Sequence, residues 1–308
     1  MGDKRAGWLD EGARVAIVGA GNGDDLPLRQ IARRAAEVVL MDIDPRAAQW
    51  ARRRLGRAER RKVSVIGHDV TSGGADAIAL TTLRGEEVDS RNDLASRGCP
   101  SDGCQPGPDR HPRLPPPLGE PLPGAPYDLV IGDLFYSQLV YPALLDLDVE
   151  PDRRAATISR HAPDLTRAIV ARLHASAPLV LHLHDPLAWW DGHEQPVALE
   201  TILAAAASDG PDAALALVAR GLGPRESDPR AALTDLGLTP TATALWRWPF
   251  SDGVDYLVCA TLAGAEAEVP AGAAVRHGSV RESPGSDRSG SCVVRNPRYM
   301  RIRNRADP

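Results

Sequence analysis

From Arg14 onward, short apolar runs alternate along the chain with segments of helical period. Most of the runs are nearly continuous in apolar residues, as is typical of strands that are buried on both faces of a parallel sheet. The predicted strands are 14–18, 38–41, 63–66, 128–131 and 179–183. This alternation predicts an α/β fold in which a doubly wound, mainly parallel sheet is covered by helices on both faces.

Helical segments are predicted between these strands. Asp24 or Asp25 can cap the first helix, and Pro45 opens the second at a first-turn position after Asp44 as its cap. The predicted helices are 26–36, 45–55, 135–145, 153–175 and 196–207.

The end of the structured chain breaks the parallel pattern. Residues 242–248 and 255–262 are two strand-like runs separated by a short segment that contains Pro249 and Gly253. This spacing predicts an antiparallel hairpin, which would bring the sheet to seven strands.

Composition divides the chain into regions. Residues 1–13 form an N-terminal extension, and 14–263 form one domain. Within that domain, 84–126 contains 6 Gly and 10 Pro, which predicts a disordered insertion because such a segment buries little apolar surface. The tail 264–308 is rich in arginine, and we interpret it as disordered or as a weak contact for polyanions.

The overall charge limits the classes of function. With 36 Lys and Arg against 41 Asp and Glu, the 308-residue chain has a formal net charge of −5, which disfavours a dedicated nucleic-acid binder. We expect neither a membrane span nor a secretory signal, and so a cytoplasmic protein. The spacing of Cys99, Cys104, Cys259 and Cys292 indicates neither a disulfide framework nor a zinc site.

The first strand leads into a turn that is dense in glycine, with Gly19, Ala20, Gly21 and Gly23 ahead of a predicted helix. Glycine permits positive φ and lets a ligand approach the backbone, while the helix that follows offers free N–H groups. A tight turn can also require glycine for steric reasons alone. A dinucleotide fingerprint would need its third glycine at the position of Asp24, so this spacing disfavours NAD.

Gly-x-Gly-x-Gly, followed by an acidic residue at the end of the second strand, resembles motif I of the class I S-adenosylmethionine-dependent methyltransferases. The resemblance extends through most of 14–262 and implies a Rossmann-like fold whose seventh strand inserts antiparallel. It also implies that the glycine turn binds S-adenosyl-L-methionine. The acidic residue that often lies two positions before the first glycine is replaced by Ile17, and Asp24 or Asp133 can substitute for it.

The resemblance assigns further positions of the cofactor site. Asp42 would accept hydrogen bonds from the ribose hydroxyls, with Ile43 beside it. Asp69 would receive the adenine amino group, and the backbone N–H of Val70 would meet a ring nitrogen. Asp133 ends the strand that resembles motif IV and would line the methionine end of the cofactor and the substrate.

Candidate catalytic residues follow the fourth and fifth strands: His184, Asp133 and Tyr136. His182 and His184 fall on one face of an extended strand. His184 can be a base near Asp185 or Asp191, part of a weak His/Asp metal motif, or an ordinary hydrogen-bonded histidine. Trp189 and Trp190 can cover an aromatic or cationic substrate or pack against the insertion. Phe135 and Gln138 complete the wall that Asp133 and Tyr136 begin.

The segment after the fourth strand, Gly132-Asp133-Leu134-Phe135, lacks the prolines typical of nucleobase N-methyltransferases. We therefore expect a methyltransferase for a small-molecule or peptide acceptor. Two alternatives remain open. An aminopropyltransferase of the same fold would use Asp133 for a polyamine, although no second acidic residue soon follows it, and a non-catalytic interaction module would keep only the fold.

Overall fold

The computed structural model describes residues 12–84 and 120–264. The strands β1 to β7 are Arg14–Val18, Glu37–Asp42, Val63–Gly67, Leu129–Asp133, Leu179–Trp189, Pro240–Ser251 and Val254–Gly264. The helices α1 to α9 are Leu28–Arg34, Pro45–Arg53, Arg57–Lys62, Gly74–Arg84, Tyr141–Asp146, Pro151–Ser176, Leu199–Ser208, Pro211–Val218 and Pro229–Asp235. Two 3₁₀ turns lie at Tyr136–Gln138 and Arg225–Ser227.

The strands form one seven-stranded sheet in the order β3-β2-β1-β4-β5-β7-β6. Neighbouring strands among β1 to β5 pair in parallel, whereas β7 pairs antiparallel with both β5 and β6. The register places Asp133 of β4 opposite Leu183 of β5, so these two strands end side by side. The predicted fold class, a mainly parallel doubly wound sheet with a terminal hairpin, is confirmed.

Alternate residues of the sheet enter two separate cores. Ile17 and Leu40 pack with α1 and α2, while Val18 and Met41 pack with α4, α5 and α6. Smaller clusters join α7 and α8 to β5 and β7, and α9 to α6. The central strands are thus fixed from both faces, which holds their carboxyl ends in place.

Several element boundaries differ from the predictions. α1 begins at Leu28 with Pro27 as its N-cap residue, so neither Asp24 nor Asp25 caps it. The single helix predicted at 135–145 is a 3₁₀ turn followed by α5, because Pro142 is favoured in the first turn of a new helix. The Asp44 cap is confirmed, since its carboxylate accepts the N–H of Arg46 at 3.0 Å.

Parts of the predicted insertion and tail lie outside the described residues, namely 85–119 and 265–308, together with Cys99, Cys104 and Cys292. Within 120–126, Leu122 is buried and donates its N–H to Ser176 Oγ at 2.8 Å. This end of the predicted insertion therefore packs on α6. Among the helices in 12–84 and 120–264, none combines the length and apolar character that a membrane crossing requires.

Candidate functional site

The loop from β1 to α1 lies at the carboxyl edge of the sheet. The N–H groups of Gly19 and Ala20 donate to Met41 O at 2.9 and 3.2 Å, which ties the loop to β2. Gly19, Gly21 and Gly23 have φ values of +76°, +47° and +69°. The loop therefore depends on glycine for its backbone conformation.

Two of these glycines are closely packed, so a side chain would not fit there, whereas the space beside the third is unfilled by the described residues. A Cβ on Gly19 would lie 2.7 Å from Phe135 Cδ1 and 2.8 Å from Asp133 O, and one on Gly23 would lie 3.0 Å from Ala51 Cβ. Beside Gly21, the nearest atom among the described residues is Gly19 O at 3.9 Å. The space that a ligand could use to approach the backbone is thus at Gly21.

The carboxylate of Asp42 is held between two backbone groups. Its oxygens accept the N–H of Gly21 at 2.8 Å and the N–H of Asp44 at 2.7 Å. Burial raises the pKa of Asp42, and the two hydrogen bonds act in the opposite direction. Because a carboxylate has about four acceptor positions, both oxygens retain room for a further donor. The next residue, Ile43, is 61% exposed.

The other predicted cofactor residues follow β3. Asp69 Oδ1 accepts from Thr71 N at 2.8 Å and Thr71 Oγ1 at 2.7 Å, while Oδ2 accepts from Gly73 N at 2.6 Å. Asp69 therefore stabilises the turn before α4, a role that sequence reasoning missed. The Val70 carbonyl accepts from Arg172 Nη1 at 3.0 Å, and the Val70 N–H has no hydrogen bond to the described residues.

Asp133 is the most unusual residue of this edge. Its side chain is 2% exposed, and neither carboxylate oxygen has a hydrogen-bond partner among the described residues. Burial raises the pKa of Asp133 well above its usual range, and Asp25 and Asp42 raise it further. The following residue, Leu134, has φ +50°, a conformation that non-glycine residues seldom adopt and that is common at functional sites.

The residues that could replace the missing acid differ in their surroundings. Ile17 is fully buried in the core, and Asp24 forms an ion pair with Arg54. Asp25, which the sequence predicts only as a helix cap, lies close enough to Asp133 to raise its pKa. Burial, together with Asp24, raises the pKa of Asp25 itself to about 6. Asp133 and Asp25 are thus better placed than Asp24 to meet a cation.

Tyr136 lies in the core. Its hydroxyl contacts His182 Nδ1 at 2.6 Å, and His182 Nε2 contacts His174 Nε2 of α6 at 3.1 Å. Burial raises the pKa of Tyr136 well above its usual range and lowers that of His182 well below it. This arrangement favours a positioning role for Tyr136, and its catalytic assignment stays a prediction.

His184 occupies the same side of β5 as His182, as the strand alternation predicts. Its Nε2 lies 3.4 Å from Asp228 Oδ1, and the Cys259 backbone and Asp228 both act to raise its pKa. Burial lowers the pKa of His184 to about 4. Burial alone would raise the pKa of Asp228, but its ion pair with Arg230 and the nearby His184 hold it below the usual value.

A cavity of about 250 Å³ opens beside the end of β5. Its polar wall includes Ser137, His184, Asp185 and Asp228, and Ser137 Oγ donates to Asp185 at 2.9 Å. Burial raises the pKa of Asp185 to about 6. Ligand pockets usually measure about 300 to 1,000 Å³, so this cavity suits a small group.

Trp189 and Trp190 do not line this cavity. Trp189 packs against the cluster of α7 and α8, and Trp190 stacks on His193 with ring centroids 3.8 Å apart. Within 12–84 and 120–264, no three His, Cys, Asp or Glu side chains are grouped in a way that could hold a metal ion.

No family model and no curated protein matches the chain. Solved structures with a similar fold include an S-adenosylmethionine-dependent methyltransferase from Methanosarcina mazei, at 12% identity and a TM-score of 0.38, which covers 83% of this chain and 94% of that one. Another such methyltransferase, from Aquifex aeolicus, has 12% identity and a TM-score of 0.34, and the match covers 82% of this chain and 84% of that one. A protein from Pyrococcus horikoshii provisionally described as an RNA methyltransferase has 14% identity and a TM-score of 0.37, covering 82% and 76%.

These TM-scores are low, so the fold assignment depends on the chain's own strand order. The sheet has the antiparallel seventh strand between β5 and β6 that the resemblance implies. The chain has the fold of the class I S-adenosylmethionine-dependent methyltransferases.

Proposed function

We propose that this protein is an S-adenosylmethionine-dependent methyltransferase that acts on a small-molecule acceptor. The observation that carries the proposal is the arrangement at the carboxyl edge of β1, β2 and β4. There, the Gly21 N–H donates to Asp42 Oδ2 at 2.8 Å, and the space beside the Gly21 Cα is unfilled by the described residues. The buried carboxylate of Asp133 has no hydrogen-bond partner among those residues. Open α/β sheets bind ligands at this edge.

The residues fit the cofactor in charge and in hydrogen-bonding capacity. Asp42 has acceptor positions left for two ribose hydroxyls, and the Val70 N–H is available to an adenine ring nitrogen. A buried carboxylate is costly unless it is paired. Asp133, with Asp25 nearby, therefore suits the positive charge at the methionine end.

The cofactor, when bound, supplies an activated methyl group, so the chain's main task is to align the acceptor and exclude water. The cavity beside β5 is a suitable acceptor site, because apolar Leu187 and Val218 share its wall with His184. His184 is neutral near pH 7, since its pKa is lowered to about 4, and one of its ring nitrogens can accept a proton.

The small cavity and the mildly acidic chain support a small acceptor over a nucleic acid. An aminopropyltransferase is the second candidate function. Asp25 favours it, because it adds a carboxylate near Asp133 that the sequence order did not place there.

Calorimetric titration with S-adenosylmethionine, S-adenosylhomocysteine and decarboxylated S-adenosylmethionine tests these candidates. Binding of the first two with micromolar affinity supports methyl transfer. A preference for the decarboxylated compound would support aminopropyl transfer instead. Absence of binding by all three would leave the interaction module as the remaining hypothesis.

A further inference from the structure

We propose that the cavity beside β5 binds an ammonium group carried by the acceptor molecule, with Asp185 as its counter-ion. The inference rests on the proposed function, since it names the class of substrate for that site. It rests on the charged groups of the cavity wall, on a buried histidine there and on the apolar residues that line the rest of the cavity.

Asp185 is a carboxylate without a cationic partner. Ser137 Oγ donates to its Oδ1 and Oδ2 at 2.9 and 3.1 Å, which orients the group without neutralising it. Among the described residues, no Lys, Arg or His nitrogen forms an ion pair with Asp185. The carboxylate is partly buried and lines the cavity, so a cation that enters the cavity can reach it.

The two arginines of the cavity wall are already committed. Arg230 donates from Nε to Asp228 Oδ1 at 3.1 Å and from Nη2 to Oδ2 at 2.6 Å. Arg225 Nη2 donates to the carbonyls of Ala219 and Gly221 at 2.7 and 3.2 Å. The cavity therefore offers an unneutralised negative group in Asp185 and no free positive one among the described residues.

His184 is an independent sign that the cavity holds a polar ligand. It is 3% exposed, it lines the cavity, and its Nε2 lies 3.4 Å from Asp228 Oδ1. A neutral imidazole has one acceptor nitrogen, so His184 can accept one N–H from a ligand. An ammonium group brings three N–H donors.

The apolar part of the wall suits a carbon skeleton beside that ammonium group. It consists largely of Pro186, Leu187, Val218 and Pro224.

Benzylamine and benzyl alcohol are matched probes, because they share a shape and differ in charge. Their dissociation constants should be measured by ligand-observed NMR on the full chain, with and without saturating S-adenosylhomocysteine. We expect benzylamine to bind at least about tenfold more tightly than benzyl alcohol, as for a hydrogen bond to a charged group. Asp185→Asn should abolish this preference, and Asp191→Asn, an exposed change of equal charge, should not.

Equal binding of the two probes by the wild-type chain would overturn the inference, and this comparison needs no variant. A preference for the amine that survives Asp185→Asn would overturn the assignment to Asp185. If Asp185→Asn does not fold, Ser137→Ala replaces it and should reduce the preference by removing the group that orients the carboxylate. Binding of S-adenosylhomocysteine, measured in the same samples, separates a failure of the proposed function from a failure of this inference.

Discussion

The carboxylate of Asp42, at the end of β2, accepts the backbone N–H of Gly21 at 2.8 Å. This hydrogen bond joins the glycine loop to the residue that the resemblance assigns to the ribose. The loop and its neighbouring strand are thus preorganised before any ligand binds. Preorganisation reduces the conformational entropy that is lost when a ligand binds.

Asp42→Ala should weaken binding of S-adenosylhomocysteine by about 1.5 to 3 kcal/mol, because it removes a charged acceptor of hydrogen bonds. Isothermal titration calorimetry measures the change. Asp44→Ala is the matched control. It removes the N-cap of α2, so it should cost about 1 kcal/mol of stability and leave the affinity unchanged. Equal affinities for wild type and Asp42→Ala would show that the ribose lies elsewhere.

Gly19→Ala and Gly21→Ala should have different effects. The new Cβ at Gly19 meets Phe135 and a backbone oxygen, so overpacking of about 1 to 3 kcal/mol adds to the strain of positive φ. At Gly21 we expect only that strain, of about 1 to 2 kcal/mol, together with weaker cofactor binding. Chemical denaturation and calorimetry separate the two outcomes. A larger stability loss at Gly21 than at Gly19 would contradict the packing described here.

Tyr136→Phe should destabilise the fold by about 1 to 3 kcal/mol, because His182 Nδ1 loses its buried partner. Affinity for S-adenosylhomocysteine should stay within about twofold of the wild-type value, since the change in free energy of binding is small. Tyr141→Phe is the control, because the Tyr141 hydroxyl has no hydrogen bond to the described residues. A loss of turnover without loss of stability in Tyr136→Phe would instead support a catalytic hydroxyl.

Asp185 should make stability depend on pH. Burial raises its pKa to about 6, so between about pH 4 and 6 the folded state binds more protons than the unfolded state. Its contribution to stability is therefore fully present below about pH 4 and is lost as the pH rises to about 6. As the pH rises from about 4 to above about 6, the free energy of unfolding of Asp185→Asn should increase by up to about 3 kcal/mol relative to that of the wild type.

The contribution of His184 to stability depends on pH in the opposite direction, and His184→Gln tests it. The pKa of His184 is lowered to about 4, so its contribution is present above about pH 6.5 and is lost as the pH falls toward 4. Urea unfolding of wild type and both variants at several pH values measures these differences. Parallel stability curves for wild type and Asp185→Asn would contradict the raised pKa of that carboxylate.

The alternation of buried strands and amphipathic segments predicted the sheet, because continuous apolar runs and helical periodicity are local properties. The same local rules predicted the Asp44 cap correctly and failed at Asp24 and Asp25, because Pro27 is the N-cap residue of α1. The short helices α3, α4, α8 and α9 were missed. α9 is held mainly by contacts with α6, a distant part of the chain that a sequence window does not contain.

In the site, too, local sequence patterns predicted some residues, whereas the contacts between distant residues were not predicted. Strand ends and glycine spacing singled out Gly21, Asp42 and Asp133. The proximity of Asp25 to Asp133 was not predicted, because it depends on the path of the glycine loop. The contact of His184 with Asp228 joins residues 44 positions apart and could not be inferred without the structure. Strand alternation did predict that His182 and His184 share a face.

The most direct test of the central claim is a crystal structure of the full chain with S-adenosylhomocysteine. We predict that both ribose hydroxyls lie within about 3 Å of the Asp42 carboxylate, with the adenine beside Val70. We also predict that the sulfur points toward the cavity that Asp185 lines. A ribose bound away from Asp42, or a Gly21 edge that stays covered by side chains in that crystal, would contradict the account.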